Sequence, residues 1–532
     1  MKGKLYLILI ALFATHICFA QDWKTFPYKP SGSLISFPAD EGRHPAQPVE
    51  WWYTSGHLTG ASSGKIYSFM LTYFSYPAGN FDGFRILNLT DDATGAFYQD
   101  TKPLHYTKLA TDHLDIQAAV YQGGTETWSN KTGVNEKLIP FQYTIKAASA
   151  LIALDLDCSA QKRPLILGTN GYFKQGLSNY TYYYSLTRNE VAGKLTLNGL
   201  TEDVTGTSWI DRQYGTFNPF TGEKYEWFHV QLSNGMDMNL WNIFNNDNAI
   251  PENDQYRSLA TYVDETSQYT TSDLKIERLR FNWMPDSTRC YSSKWKITSS
   301  KNNIDLTVTT QSDHSEVQLP FRFFEGATTV SGTVNGKDVT GFGFAELLHS
   351  YEHPKVKLAE PAQGIYHPST PVKWQLMNPD DGRMVYYDLS YSVNNKVSFM
   401  PVAQNLTDTI YQWPNPTVAN GDKIWFKITA HTIDNKLQGI AVSTDAATVS
   451  IDEDNLKIKL FPNPVGAKLH LQPAFQSDNP AARIVDANGR LVYSIKSNSI
   501  SDKIDVSFLA PGIYFLAIDF PGKKNALKFI KK

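Results

Sequence analysis

A chain of 532 residues is too long for a single hydrophobic core and suggests roughly three to four domains. Its 42% apolar and 19% charged residues are ordinary for a folded protein, which excludes disorder as the default state. A formal net charge of −3, with no dense basic patch before the C-terminal segment, excludes nucleic acid as an expected partner.

The first twenty residues read as a targeting segment. Lys2 and Lys4 precede LYLILIALFA, an apolar run too short to span a bilayer. Cys18-Phe19-Ala20 then offers a signal-peptidase site, with Gln21 as the expected mature N-terminus. Bulky His16 and Ile17 argue against lipidation of Cys18. No later segment is apolar enough to cross a membrane, so the expected product is exported and soluble. Cys158 and Cys290 remain; they could pair in an oxidising compartment or stay as buried thiols, and neither has metal or redox spacing.

Next comes an internal repeat. EWWYTSGHLTG at Glu50 is echoed by EWFHVQLSNG at Glu226, and LNGLTEDVTGTSWID by VNGKDVTGFGFAE. In each copy an acid falls eight residues after the Asp of DVTG: Asp211 after Asp203, Glu346 after Asp338. An aromatic residue, Trp209 or Phe344, stands two places before that acid. Runs such as KIYSFMLTYFSY, YTYYYSLT and DMNLWNIF have strand character. Asn198-Gly199, Asn234-Gly235 and Asn335-Gly336 are hairpin signals, because tight primed turns need positive φ. With no long amphipathic helix in view, two all-β units are expected, at 23–205 and 206–356.

A proline-bearing linker, VKLAEPAQGIYHPSTP, leads to a third unit at 370–451 with Trp374 near its first strand and Trp425-Phe426 late. It resembles a fibronectin type III-like sandwich, a module that usually spaces other domains. The last segment, 456–532, holds FPNPV, the Asp486-Ala487-Asn488-Gly489-Arg490 turn, LAPGIYFL and a terminal basic strand. It resembles the small β-sandwich C-terminal sorting domain of type IX secretion substrates. That resemblance implies the type IX machinery as a partner, and a secreted or outer-surface location. The terminal lysines then read as the solvated face of a final strand.

EWWYTSGHL, SWIDRQYG and FFEGATTVSGTVNGKDVTGFGFAEL together resemble the lipocalin-like AttH and carotenoid 1,2-hydratase (hydroxyneurosporene synthase) family, over about residues 40–356. The resemblance implies two tandem lipocalin- or calycin-like β-barrels with a lipophilic pocket in or between them. It also implies hydration or cyclisation of isoprenoid- or polyketide-like chains. Protonating an isolated alkene leaves a carbocation, so the donor must be a carboxylic acid kept neutral by an apolar wall. Aromatic faces then stabilise the cation, by about 0.5–2 kcal/mol per contact.

Asp211 is the first expectation for the proton donor, with Glu50 and Glu346 behind it. Against Asp211 stands its neighbour Arg212, since an adjacent guanidinium lowers a carboxyl pKa. Against Glu50 stands its echo, Glu226, because a residue present in both copies can simply serve the barrel. Trp51, Trp52, Tyr53, His57, Trp209, Tyr214, Trp227 and His229 are the expected substrate-binding residues, though each alone is also a natural core residue. His349 and His353 have a spacing that serves a helix while their surroundings read as strand and loop, so no metal is expected. Without a phosphate loop, dinucleotide fingerprint or Gly-x-Ser-x-Gly elbow, no cofactor is expected either. Two other functions fit an exported β-rich chain. A non-catalytic carrier of lipophilic molecules needs only the pocket. A polysaccharide hydrolase needs two carboxylates across an open cleft.

Overall fold

The structure is a computed structural model that describes residues 22–532, apart from 219–221, 319–320, 362–363, 414–415, 451–458, 473–480, 496–502 and 521–522. The expected signal peptide lies outside the described residues. Those that are described form strands and turns, with only short 3-10 segments of helix. No helix among them is long and apolar enough to cross a membrane.

The first unit is a closed barrel of ten antiparallel strands. It runs in order from Val49–Gly60 to Ile152–Ala160, and closes through Asn179–Leu197 and Leu200–Gly215. Leu71, Leu89, Ile116, Trp128, Ile145 and Leu154 belong to one buried cluster that fills its interior. The Leu200–Gly215 strand pairs from Val204 to Gly215 with Val49–Gly60, so the division expected at 205/206 cuts through a single strand. Trp209, Asp211 and Arg212 therefore belong to the first barrel.

The second unit is a half-barrel rather than a closed one. Its two edges, Gln268–Thr271 and Lys275–Trp283, do not pair with each other. Other parts of the chain cover both edges, which removes the need for closure. Phe281 donates its backbone N–H to Asp434 (2.6 Å), and Trp283 Nε1 donates to the Lys436 carbonyl (3.1 Å). At the other edge, Thr270 Oγ1 donates to the Gly168 carbonyl of the first barrel (3.3 Å).

The repeat is visible in the backbone. Asn198-Gly199 and Asn335-Gly336 both have φ positive at each residue, as the sequence requires of a primed turn, whereas in Asn234-Gly235 only the glycine does, so that expected turn is not of this kind. The DVTG glycine also has one role in both copies: a Cβ would lie 1.9 Å from the His57 carbonyl oxygen at Gly206, and 2.4 Å from that of Gln231 at Gly341. The two glutamates of the repeat, however, are not equivalent. Asp211 pairs with Tyr53 and Glu346 with Trp227, so matching the closing motifs places Glu50 against Lys224, two residues out of step with Glu226.

A three-stranded and a six-stranded sheet follow, sharing the core of Trp374, Tyr387, Leu389, Phe426 and Ile428. Val356–Glu360 and Gly364–Tyr366, expected as linker, are strands of these sheets. The C-terminal unit is a second small pair of sheets around Leu469, Ile484, Leu516 and Phe529. In its last strand Lys528 is exposed beside buried Phe529, the alternation of a half-solvated edge.

Cys158 and Cys290 are both free and buried, in different units. Burial pushes each thiol up to about 12. Neither should react with a thiol reagent at neutral pH until denaturant is added, when both should label; measured thiol counts before and after unfolding check this.

Candidate functional site

The two barrel units meet face to face, and the strands at their junction are buried on both sides. Asp237–Phe244 is buried at every residue, and Val49–Gly60 and Lys224–Leu232 nearly so. Side chains alternate across a strand, so each such strand serves two cores. Trp52 and Leu58 point into the first barrel, whereas Tyr53 joins a junction cluster with Met70, Ile86, Trp209, Trp227 and Trp241.

Within that cluster lies a cavity, part of it open to solvent. Its aromatic wall includes Trp51, Tyr53, Phe74, Trp227, Trp241 and Phe323; its carboxyl groups are Asp211 and Glu346. Trp241 Nε1 is buried with no protein hydrogen-bond partner.

Asp211 is buried and accepts three hydrogen bonds: Tyr183 Oη (2.5 Å), Ser185 Oγ (2.5 Å) and Trp209 Nε1 (2.6 Å). The direction of these bonds is fixed from across the junction. Trp227 Nε1 donates to Asn239 Oδ1 (3.1 Å), which orients the amide. Asn239 Nδ2 then donates to Tyr183 Oη (2.9 Å) and Ser185 Oγ (3.3 Å), so both hydroxyl protons point at Asp211. Burial pushes the Asp211 carboxyl up to about 7, against the pull of its three donors.

On the facing unit, Glu346 accepts from Tyr225 Oη and stands directly across the ladder from Glu325. Glu325 accepts from Tyr53 Oη (2.8 Å), and its Oε2 faces no protein group able to bond to it except the neighbouring acid, Glu346. Burial and the charge of Glu346 raise Glu325 well above the carboxylate range, and burial raises Glu346. Two buried carboxyls in contact cannot both ionise, so the pair holds a proton at neutral pH.

Arg212 does not touch this site. One residue on from Asp211, it points the opposite way, into the first barrel, where Arg212 Nη2 pairs with Glu50 Oε2 at 2.5 Å. Its guanidinium lies 3.9 Å from the Trp52 ring centroid and also donates to the Gly42 carbonyl (2.5 Å). The guanidinium holds Glu50 below its ordinary range despite burial. In the second unit Glu226 is likewise paired, with Arg278 (2.5 Å). Glu50 is thus a barrel ion pair and not a cavity acid.

Of the expected binding residues, Trp51, Tyr53 and Trp227 line the cavity and Trp209 backs it through Asp211. Trp52 lies in the first barrel core, its Nε1 donating to the Glu41 carbonyl (2.8 Å). Tyr214 sits with the Glu50 group, stacked on His44 at 3.5 Å. His57 and His229 lie further along the junction: His57 Nδ1 is 3.7 Å from Asp92, and His229 Nε2 is 2.8 Å from Ser55 Oγ. His349 stacks on Phe244 (3.8 Å) and faces Asp381, whereas His353 Nδ1 accepts from the Gln438 backbone (3.1 Å). Sequence reasoning missed Glu325, Tyr183, Tyr225 and Asn239. A faint signal for Glu325 existed: it is a lone acid in FFEGATTV, on the strand next to that of Glu346.

Residues 28–351 match the AttH-like family. The chain belongs to the AttH-like family. Residues 459–532 of this AttH-like chain match the secretion system C-terminal sorting domain, which assigns it to the type IX route and to the cell surface or the medium. Kievitone hydratase of Fusarium solani subsp. phaseoli is 23% identical over 315 residues, covering 56% of this chain and 82% of that protein. Among solved structures, an AttH protein of Nitrosomonas europaea matches with a TM-score of 0.50 and 22% identity, covering 60% of this chain and 98% of that one. Kievitone hydratase from Nectria haematococca matches with a TM-score of 0.48 and 18% identity, over 61% and 98% of the two chains.

The raised carboxyls have a consequence for stability. Asp211 and buried Glu41 are each pushed up to about 7, so each binds its proton more tightly folded than unfolded. Their contribution is complete below about pH 4 and is lost as pH rises through about 7. Asp211→Asn removes one such group. Relative to the parent, its unfolding free energy should rise with pH across that window, by up to about 1.4 kcal/mol per pH unit, in denaturant titrations at stepped pH.

Proposed function

We propose that the junction cavity hydrates, or cyclises, an apolar alkene-bearing substrate by acid catalysis. The supporting observation is the buried Glu325–Glu346 pair, which keeps a protonated acid against an aromatic-walled cavity that also contains a hydrogen-bonded carboxylate. In this reading Glu346 is the donor and Glu325 its proton reserve. Asp211, expected from sequence as the donor, acts instead as the base, because its oxygens are already committed to accepting. Its value of about 7 suits a general base near neutral pH.

The proton of Glu346 passes to one alkene carbon, and the π pair becomes the new C–H bond. The resulting cation is held by the faces of Trp51, Trp227 and Trp241. The lone pair of a water forms the C–O bond, its surplus proton passes to Asp211, and the net change is addition of one water. When a second double bond attacks instead, its π pair closes a ring and leaves a new cation, which loses a proton to Asp211 to give an isomer of the substrate. The name of the similar fungal hydratase supports the hydration branch; isoprenoid- and polyketide-like chains are the proposed substrate class. The aromatic lining disfavours a polysaccharide, whose hydroxyls need many polar partners. A pure carrier has no use for a buried acid pair beside a network that orients Asp211.

The test is incubation with a panel of isoprenoid and prenylated alkenes in oxygen-18 water, followed by mass spectrometry. Label in an alcohol product, absent without protein, supports hydration; an unlabelled isomer with one ring more supports cyclisation. Tight binding of these compounds with no product at any pH would leave the carrier reading in its place.

A further inference from the structure

The cavity occupies one row of side chains across the junction, and the rows beyond it mix polar with apolar side chains. Asp211, Tyr53, Thr72 and Ile86 are register neighbours in the cavity row. One pleat further come Trp209, Ser55, Met70 and Asn88, and then Thr207, His57, Ser68 and Thr90. On the facing unit, Trp227, Glu346 and Glu325 form the cavity row, and His229, Phe344 and Ala327 the next.

These outer rows hold polar atoms that are buried without a protein hydrogen-bond partner, Asn88 Oδ1 and Nδ2, His229 Nδ1 and His57 Nε2, and Ser315 Oγ, outside the rows and next to Glu325, is another. Asn88 and His229 are almost completely buried, at 3% and 1% exposed. The line ends in contact with the acid pair, since the Glu325 backbone N–H donates to the Ser315 carbonyl (2.8 Å). Ser315 also lines a small recess with Thr90, Asp92, Gln311, Ser312 and Ala327. Trp51, Phe74 and Gln213 lie one pleat from the cavity row in the other direction. The recess and the aromatic end thus lie on opposite sides of the acids.

We propose that this seam is a water-filled passage, delivering water and protons to the Glu325–Glu346 pair from the side opposite the apolar substrate. A buried asparagine with neither donor nor acceptor used is costly in a dry interior, by about 1–3 kcal/mol per unsatisfied group. Ordered waters with three or so polar partners satisfy such groups. The arrangement also separates the two reactants: the apolar chain fills the aromatic end while water arrives past the unpartnered polar atoms. Any proton given to substrate is then replaced through Ser315 and the seam, from the side that the substrate does not occupy.

The inference rests on the hydration reading for its purpose, but its first test is independent of any substrate. An atomic-resolution crystal structure of the protein, with a second crystal pressurised with xenon, should show ordered waters bonded to the Asn88 amide and Ser315 Oγ and no xenon between them. Xenon there, or rotamers in which these side chains bond only one another, would overturn the passage. The second test uses Asn88→Leu, which fills the seam with apolar volume and removes two unpartnered atoms, so the fold should hold in thermal melts. On an alkene that the parent hydrates, kcat should fall about tenfold with KM unchanged, and Asn88→Ser should recover the rate. Unchanged kcat in Asn88→Leu overturns the inference. If the parent hydrates no alkene, the proposed function fails, and the water structure alone decides the passage.

Discussion

Glu346→Gln is expected to cut turnover by about 10²- to 10⁴-fold, the usual contribution of a positioned general acid, while leaving the binding of apolar ligands intact. Glutamine keeps the size of the side chain and can still bond to Tyr225, which sits against Glu346, so the cavity wall should keep its shape. What is lost is the only carboxyl on that wall whose proton is backed by a second acid. Glu325→Gln should do less and do it differently. The new amide donates to Glu346 and favours its anion, so the upper limb of the pH–rate profile should move to lower pH. The measurements are kcat and KM against pH for both variants, with ligand binding followed by quenching of the junction tryptophans. Full activity in Glu346→Gln would remove the acid assignment altogether. A parallel loss of ligand binding would show that the residue shapes the wall.

Arg212→Ala should cost about 3–5 kcal/mol of folding stability, the range for breaking one side of a buried ion pair. The deletion leaves the Glu50 carboxylate buried, with its remaining partners, the His44 backbone N–H (3.0 Å), the His44 ring (3.4 Å) and distant Arg43 (3.7 Å), unable to replace a guanidinium. It also removes the cation that stacks on Trp52 and bonds to the Gly42 carbonyl. Glu50→Gln combined with Arg212→Met should recover much of the loss, because neither partner is then a stranded charge. Denaturant unfolding of the single and double variants measures both effects. A loss under about 1 kcal/mol in Arg212→Ala would mean that the pair is idle. Because Arg212 faces away from the cavity, ligand affinity in the folded fraction should stay unchanged.

These two experiments separate residues that the sequence places side by side. Asp211 and Arg212 are adjacent, and adjacency suggested that the cation would lower the acid's pKa. On a strand, neighbours face opposite sides, so Arg212 serves the barrel interior and Asp211 the junction. Glu50 and its aromatic neighbours divide in the same way: Glu50 and Trp52 contribute to the barrel, Trp51 and Tyr53 to the cavity. The sequence did point to Asp211, Glu346, Trp51, Tyr53 and Trp227 as residues of one region. It gave no means of finding Tyr183 or Asn239, because an ordinary strand pattern accounts for both.

The all-β character, the duplicated unit, the primed turns and the C-terminal sorting module were decided by local residue pattern, since alternation, Asn-Gly turns and motif spacing act over a few residues. Tertiary structure alone decided that the second unit stays open, its edges covered by other parts of the chain. It alone brought Glu325 beside Glu346 across a ladder, and turned both hydroxyls toward Asp211 through an asparagine on the other unit. Such pairings depend on which strand lies next to which and on how two sheets meet. Contacts between residues far apart in the chain leave no periodic trace within any one segment.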